Sequence, residues 1–93
     1  MISELKIIAN SSIVFREEFD NWALLFNPDT GDVYGLNPVG SFIMKQLDGT
    51  LTAKDFVEKI KTSFDDVSPD IDQDVGSFLD ELVTKGFAEY REP

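Results

Sequence analysis

Trp22-Ala23-Leu24-Leu25-Phe26-Asn27-Pro28-Asp29-Thr30-Gly31-Asp32-Val33-Tyr34-Gly35-Leu36-Asn37-Pro38 contains two strands, the loop that joins them and the first turn of a helix. Trp22, Leu24 and Phe26 fall on one side of an extended segment and Ala23 and Leu25 on the other, so both sides are apolar, which predicts a middle strand with cover on each face. Asn27-Pro28-Asp29-Thr30-Gly31 places Pro at the second turn position and ends on a Gly able to take positive φ, the chemistry of a hairpin loop closing in a bulge. Asp32 to Leu36 is then the returning strand. Upstream, Ile13-Val14-Phe15-Arg16-Glu17 is β-branched and aromatic and runs into the polar Glu18 to Asn21, which predicts a first strand entering a turn.

Beyond Asn37 the apolar period changes from two to that of a helix. Asn37 caps a helix whose first residue is Pro38, with Val39, Phe42, Ile43 and Leu47 on its apolar side and a stop at Asp48-Gly49. Thr52 and Asp55 form a capping box for a second helix, with Leu51 placed to staple onto Phe56 and a buried stripe of Phe56, Val57 and Ile60. A third helix starts at Ser68-Pro69, carries Ile71, Val75, Phe78, Leu79, Leu82 and Val83 on one arc and stops at Lys85-Gly86. Phe87 to Tyr90 is expected to pack as a final extended segment. The whole reads as one α+β domain over residues 1–93, winged helix-turn-helix-like, with a three-stranded antiparallel sheet followed by three helices. Residues 1–12 are expected to be loosely ordered.

The chain has 93 residues, enough for one core and no second. Its 18 acids against 8 cations and no His give a net charge of −10, which repels phosphate backbones and makes nucleic acid an unsuitable partner. The absence of Cys and His removes disulfides, thiolate and imidazole metal sites, thiol nucleophiles and a histidine base, so no catalytic residue, metal site or cofactor is expected. The longest clean apolar run, Trp22 to Phe26, is far short of the roughly 20 residues a membrane helix needs. With no targeting segment at the N-terminus, a cytoplasmic location is expected.

Asp70, Asp72, Asp74 and Glu81 match positions of a calcium loop, but the sharp-turn Gly is replaced by Val75 and the stretch reads as an amphipathic helix whose acids suit its dipole. Glu17-Glu18 and Asp65-Asp66 read as solvated charge. The six glycines form no phosphate cradle. Trp22 and the Phe set sit at core periodicity, so packing is expected of them. From Asp65 to Pro93 nine acids face only Lys85 and Arg91, which would push a recognition helix out of a DNA groove; a helix-turn-helix regulator is the weaker alternative, and a structural subunit docked on an enzyme a third. Lys54, Lys59 and Lys61 make a mildly basic face on the second helix. Peptide recognition remains. With Trp22 to Asn27 in the middle, the strand Asp32 to Leu36 is an edge that an extended peptide can extend, and Gly35 has no side chain to obstruct it. The same edge could instead be covered by the chain itself, and exposed edges allow pairing into a homodimer.

Leu25-Phe26-Asn27-Pro28-Asp29-Thr30-Gly31, Leu36-Asn37-Pro38-Val39-Gly40, Leu47-Asp48-Gly49-Thr50, a Thr-capped helix and the ending Phe78-Leu79-x-Glu81-Leu82-x-x-x-Gly86 together resemble the PqqD-like family of peptide chaperones, RiPP recognition elements, over about Val14 to Glu89. The resemblance implies binding of the leader of a ribosomally made precursor peptide and its presentation to a modifying enzyme, often a radical S-adenosylmethionine protein. It implies that the leader adds as a strand beside the third strand, in the groove toward the last long helix. Carried across, the peptide-binding residues are Val33, Tyr34, Gly35 and Leu36 on the strand and Val75, Phe78, Leu79 and Leu82 on the helix, with Asp74 and Glu81 as acidic rims. Met44 stands where the family commonly has Trp, which argues for the generic family over the pyrroloquinoline quinone pathway itself.

Overall fold

The computed structural model describes residues 5–91. In chain order its elements are β1 (Lys6–Ala9), β2 (Val14–Glu17), β3 (Ala23–Phe26), β4 (Val33–Leu36), α1 (Pro38–Met44), β5 (Asp48–Thr52), α2 (Ala53–Ser63), α3 (Ile71–Thr84) and β6 (Ala88–Arg91). The strands form two antiparallel three-stranded sheets, β2-β3-β4 and β5-β1-β6. The expected meander is the first of these. The second corrects the sequence reading at two places: Lys6–Ala9, expected to be loosely ordered, is a central strand, and Asp48–Thr52, read as a helix stop at Asp48-Gly49 followed by the start of the next helix, is its partner. Ile7 is buried in the core while the bonds of its strand run to segments far along the chain, β5 and β6. Part of the N-terminal segment, residues 1–4, lies outside the described residues.

Both hairpin loops follow from their residues. At the β3–β4 connection the Asn27 N–H donates to the Asp32 carbonyl at 2.9 Å and the Gly31 N–H to the Asn27 carbonyl at 2.7 Å, with Gly31 at φ 81°, a glycine bulge. Asn27 itself is buried, and its side-chain oxygen accepts from the Asp29 N–H. At the β2–β3 connection Asp20 and Asn21 both take positive φ, 53° and 67°, a conformation these two residue types tolerate better than most. There the Glu18 N–H donates to the Trp22 carbonyl while the Trp22 N–H donates to that of Phe19, so two residues oppose one and Phe19 is pushed outward.

The helices begin where their caps stand. Asn37 accepts from the Gly40 N–H at 2.8 Å, with Pro38 as first helical residue. Thr52 and Asp55 form the reciprocal capping box expected of α2. α3 starts at Ile71, two residues after the expected Pro69, behind a loop in which Asp70 N–H donates to the Ser68 hydroxyl. Its stop is Gly86 at φ 83°. The core gathers the inward faces of both sheets and the apolar arcs of the helices, with Phe56, Phe87, Leu25, Leu36, Ile60 and Leu79 among its fully buried side chains. The α2–α3 pair gives the domain its winged helix-turn-helix character.

One face departs from expectation. Ala23 and Leu25 enter the core, but the opposite side of β3 is uncovered: Trp22 is 51% exposed and Phe26 40%, beside Val14 at 50% and Val33 at 62%. The alternation of a strand shows that two apolar faces exist and not whether a layer lies over each. Here the helices pack on one side only, so Trp22, expected in packing, stands at the surface.

Candidate functional site

β4 is one of the two outer strands of its sheet, and its main-chain groups divide by residue parity. The bond from Asn27 to Asp32, with Leu25 opposite Tyr34 and Ala23 opposite Leu36, sets the phase of the ladder. Hydrogen-bonded and non-bonded pairs alternate in an antiparallel ladder, so the N–H and C=O groups of Tyr34 and Leu36 face β3 and those of Val33 and Gly35 face outward. Among the described residues no further strand pairs with β4.

Side chains alternate the other way. Leu36 points into the core and is buried; Tyr34 points toward α3, half-buried, its ring centroid 5.8 Å from that of Phe87 and 6.5 Å from that of Phe78. Its hydroxyl donates to the Glu81 carboxylate, tying β4 to α3. Burial, then the hydrogen bond to Glu81 and that group's negative charge, push the Tyr34 phenol up to about 12. Val33 and Gly35 are exposed on the opposite face.

On α3 the structure separates the residues that the resemblance grouped. Val75, Leu79 and Leu82 are buried, so they hold the helix against the core and leave no side chain free; Asp74 and Glu81 are exposed and Phe78 half-buried. Leu36 on β4 is in the same position as the three core residues. The accessible surface carried by the ten residues is thus Val33, Tyr34 and Gly35 with Asp74, Phe78 and Glu81. Phe78 is held by close approach as well: a Cβ on Gly40 would lie 3.3 Å from both the Phe78 ring and Leu36, so α1 approaches both elements through its glycine.

The groove continues past the end of β4 into a cavity of about 490 Å³ whose walls include Asn37, Val39, Gly40, Phe64, Val67, Ile71 and Phe78. Asp65, Asp66 and Asp74 stand at its rim. None of these acids, nor Glu81, is paired with a cation among the described residues. Sequence reasoning missed this half of the site because it lies in the 64–70 connection, which has no period. Its signal was the apolar pair Phe64 and Val67 inside an otherwise polar segment, both half-buried. No three acids converge as a metal cluster among the described residues, and Asp72 and Asp74 occupy the first turn of α3.

A strand meander with its β4 edge beside the long helix of a helix-turn-helix pair places the domain in the winged-helix-like α+β class to which RiPP recognition elements belong. The chain belongs to the PqqD family: the model for Coenzyme PQQ synthesis protein D (PqqD) matches residues 23–88, from β3 to the start of β6. Two solved structures share the fold. TbiB1 in complex with the TbiA(beta) leader peptide is 26% identical with a TM-score of 0.73, over 88% of this chain and 94% of that one. Lasso peptide synthetase B1 complexed with the leader peptide is 17% identical with a TM-score of 0.74, over 90% and 98%. Among curated proteins no sequence matches significantly.

Proposed function

We propose that this domain is a non-catalytic peptide chaperone that takes the leader of a ribosomally made precursor peptide as a fourth strand on β4 and presents the attached core to a modifying enzyme. The observation that carries this reading is the open edge at Val33 and Gly35 running alongside α3. Backbone pairing there supplies affinity with little demand on sequence, and the groove against Phe78 and Tyr34 selects alternate side chains. The two complexes of similar fold each hold a leader peptide, which supports the same role here. The unpaired acids along the groove favour a leader with basic positions. Leu36, Val75, Leu79 and Leu82 act from beneath, by holding the strand and helix at their spacing.

The recipient enzyme in this reading is a radical S-adenosylmethionine protein, as the family resemblance implies, and the setting is the cytoplasm. Among the described residues no helix is long and apolar enough to cross a membrane, which is compatible with that setting. The test is a titration of synthetic leaders, taken from short precursor genes beside the gene for this chain, against isotope-labelled protein. The expected result is a set of shifted amides centred on Val33, Gly35 and Asn37, with Phe78→Ala lowering affinity about ten-fold or more. Shifts confined to the β5-β1-β6 sheet, or affinity indifferent to Phe78→Ala, would remove the site from β4. Saturable binding of the radical enzyme to the leader-loaded domain is the second expected result; binding of that enzyme without any leader binding would favour a structural subunit.

A further inference from the structure

We infer that the guest strand places a large aromatic side chain over Gly35, on the outer face of the β2-β3-β4 sheet, in a hollow walled by Phe19, Trp22 and Leu24. This rests on the reading of β4 as the peptide-binding edge and adds to it a position and a side-chain class. The register aligns two rows across the outer face: Val14, Phe26 and Val33 in one, Arg16, Leu24 and Gly35 in the next. The first row is apolar from edge to edge. The second breaks at Gly35, which leaves the flank of Leu24 bare and opens a hollow of about 310 Å³ bounded by Trp22, Phe19 and Glu18. Among the described residues Phe19 is the most exposed of the large apolar side chains, at 75%.

Gly35 belongs to both features at once. Its main-chain groups face the incoming strand, and its missing side chain is the floor of the hollow. A guest residue directly opposite it shares the outer face, because paired residues in neighbouring strands project to the same side. An aromatic ring from a neighbouring strand lying over an edge glycine covers what the glycine leaves uncovered, and Trp22 offers its ring for an edge or offset contact. The hollow thus needs no second binding event: a chain already paired to β4 reaches it with one side chain. A second copy of the protein is a poorer occupant, since each copy carries −10 and Glu18 stands at the rim. The guest residues on either side of the aromatic point the other way, toward Tyr34 and Phe78.

Gly35 can be filled without disturbing the fold, because an added Cβ would meet nothing within 4 Å and its φ lies outside the left-handed region. The probe is a phage-displayed library of random twelve-residue peptides, selected in parallel on the wild type, Gly35→Val, Trp22→Ala and Val33→Pro, each checked by circular dichroism. Wild-type selection is expected to yield peptides that fail on Val33→Pro and share one aromatic position. One such peptide should lose about ten-fold in affinity on Gly35→Val or Trp22→Ala. Its aromatic-to-Ala version should lose a similar factor on the wild type and little more on Gly35→Val, the coupling of a double-mutant cycle. Peptides that depend on Val33 yet show no aromatic position, or ignore Gly35→Val, overturn this inference and leave the edge reading standing. Binders indifferent to Val33→Pro overturn both.

Discussion

Tyr34 joins β4 to α3 through one hydroxyl, and that bond carries a pH signature. The neutral phenol donates to Glu81; the phenolate would set a second negative charge against it. The folded value, about 12, lies above the ordinary 10, so the stability linked to this group is fully present below pH 10 and is lost as pH rises from there through about 12. Tyr90, donating to Asp80, is raised in the same direction, chiefly by burial, so both tyrosines of the chain titrate late. The expected outcome is tyrosinate absorbance that appears only above the normal range, with a thermal midpoint that falls across the same window. Tyr34→Phe should flatten the fall without abolishing it, because Tyr90 remains. Tyrosinate forming near pH 10 with no change in midpoint would show that neither pair persists in solution. Of these residue-level facts the sequence disclosed little: the Tyr34–Glu81 pair spans 47 positions, and nothing local announces it. Asn37 and Thr52, by contrast, were legible as caps because capping depends on neighbours three residues away.

At the scale of the element, what matters in β4 is which residues spend their N–H groups on β3. Strand membership alone makes Tyr34→Pro a natural test of peptide pairing, but the register assigns the Tyr34 N–H to the internal ladder. Tyr34→Pro should therefore break the β3–β4 pairing and lower the unfolding midpoint sharply, whereas Val33→Pro removes only an outward donor, a placement that edge strands tolerate. Parallel thermal melts and leader titrations of the two variants check this: Val33→Pro should keep its fold and lose the leader, and the reverse pattern would shift the ladder by one residue. The same dependence on partners explains which elements the sequence revealed. The β3–β4 hairpin was readable because its loop chemistry is local. β1 and β5 were not: Lys6–Ala9 is four residues long and is a strand because β5 and β6 flank it, while Asp48–Thr52 has the composition of a turn and is a strand because β1 lies beside it, forty or more positions away. The candidate site divides in the same manner, its strand half legible from alternation and its cavity half hidden in the aperiodic 64–70 connection.

Across the whole molecule the dominant quantity is charge. A domain at −10 carries nine of its 18 acids in the α2–α3 segment, where a DNA-binding relative would need cations, and the rim of the groove holds Asp65, Asp66, Asp74 and Glu81 without cationic partners among the described residues. The field that turns phosphate away draws in a basic peptide, and it does so before contact. Long-range attraction of this kind raises the rate of encounter, while main-chain pairing and the groove govern release. Screening should separate the two, since the Debye length shrinks from about 30 Å at 0.01 M salt to about 3 Å at 1 M. Stopped-flow association of a basic leader with the domain is therefore expected to slow by about an order of magnitude over that range, with a dissociation rate that changes little. Asp74→Asn combined with Glu81→Gln should weaken the salt dependence of association more than it alters dissociation at high salt. If salt instead accelerates dissociation and leaves association unchanged, the acids act as direct contacts within the bound complex, and the groove, not the field around it, is where the charge of the leader is read.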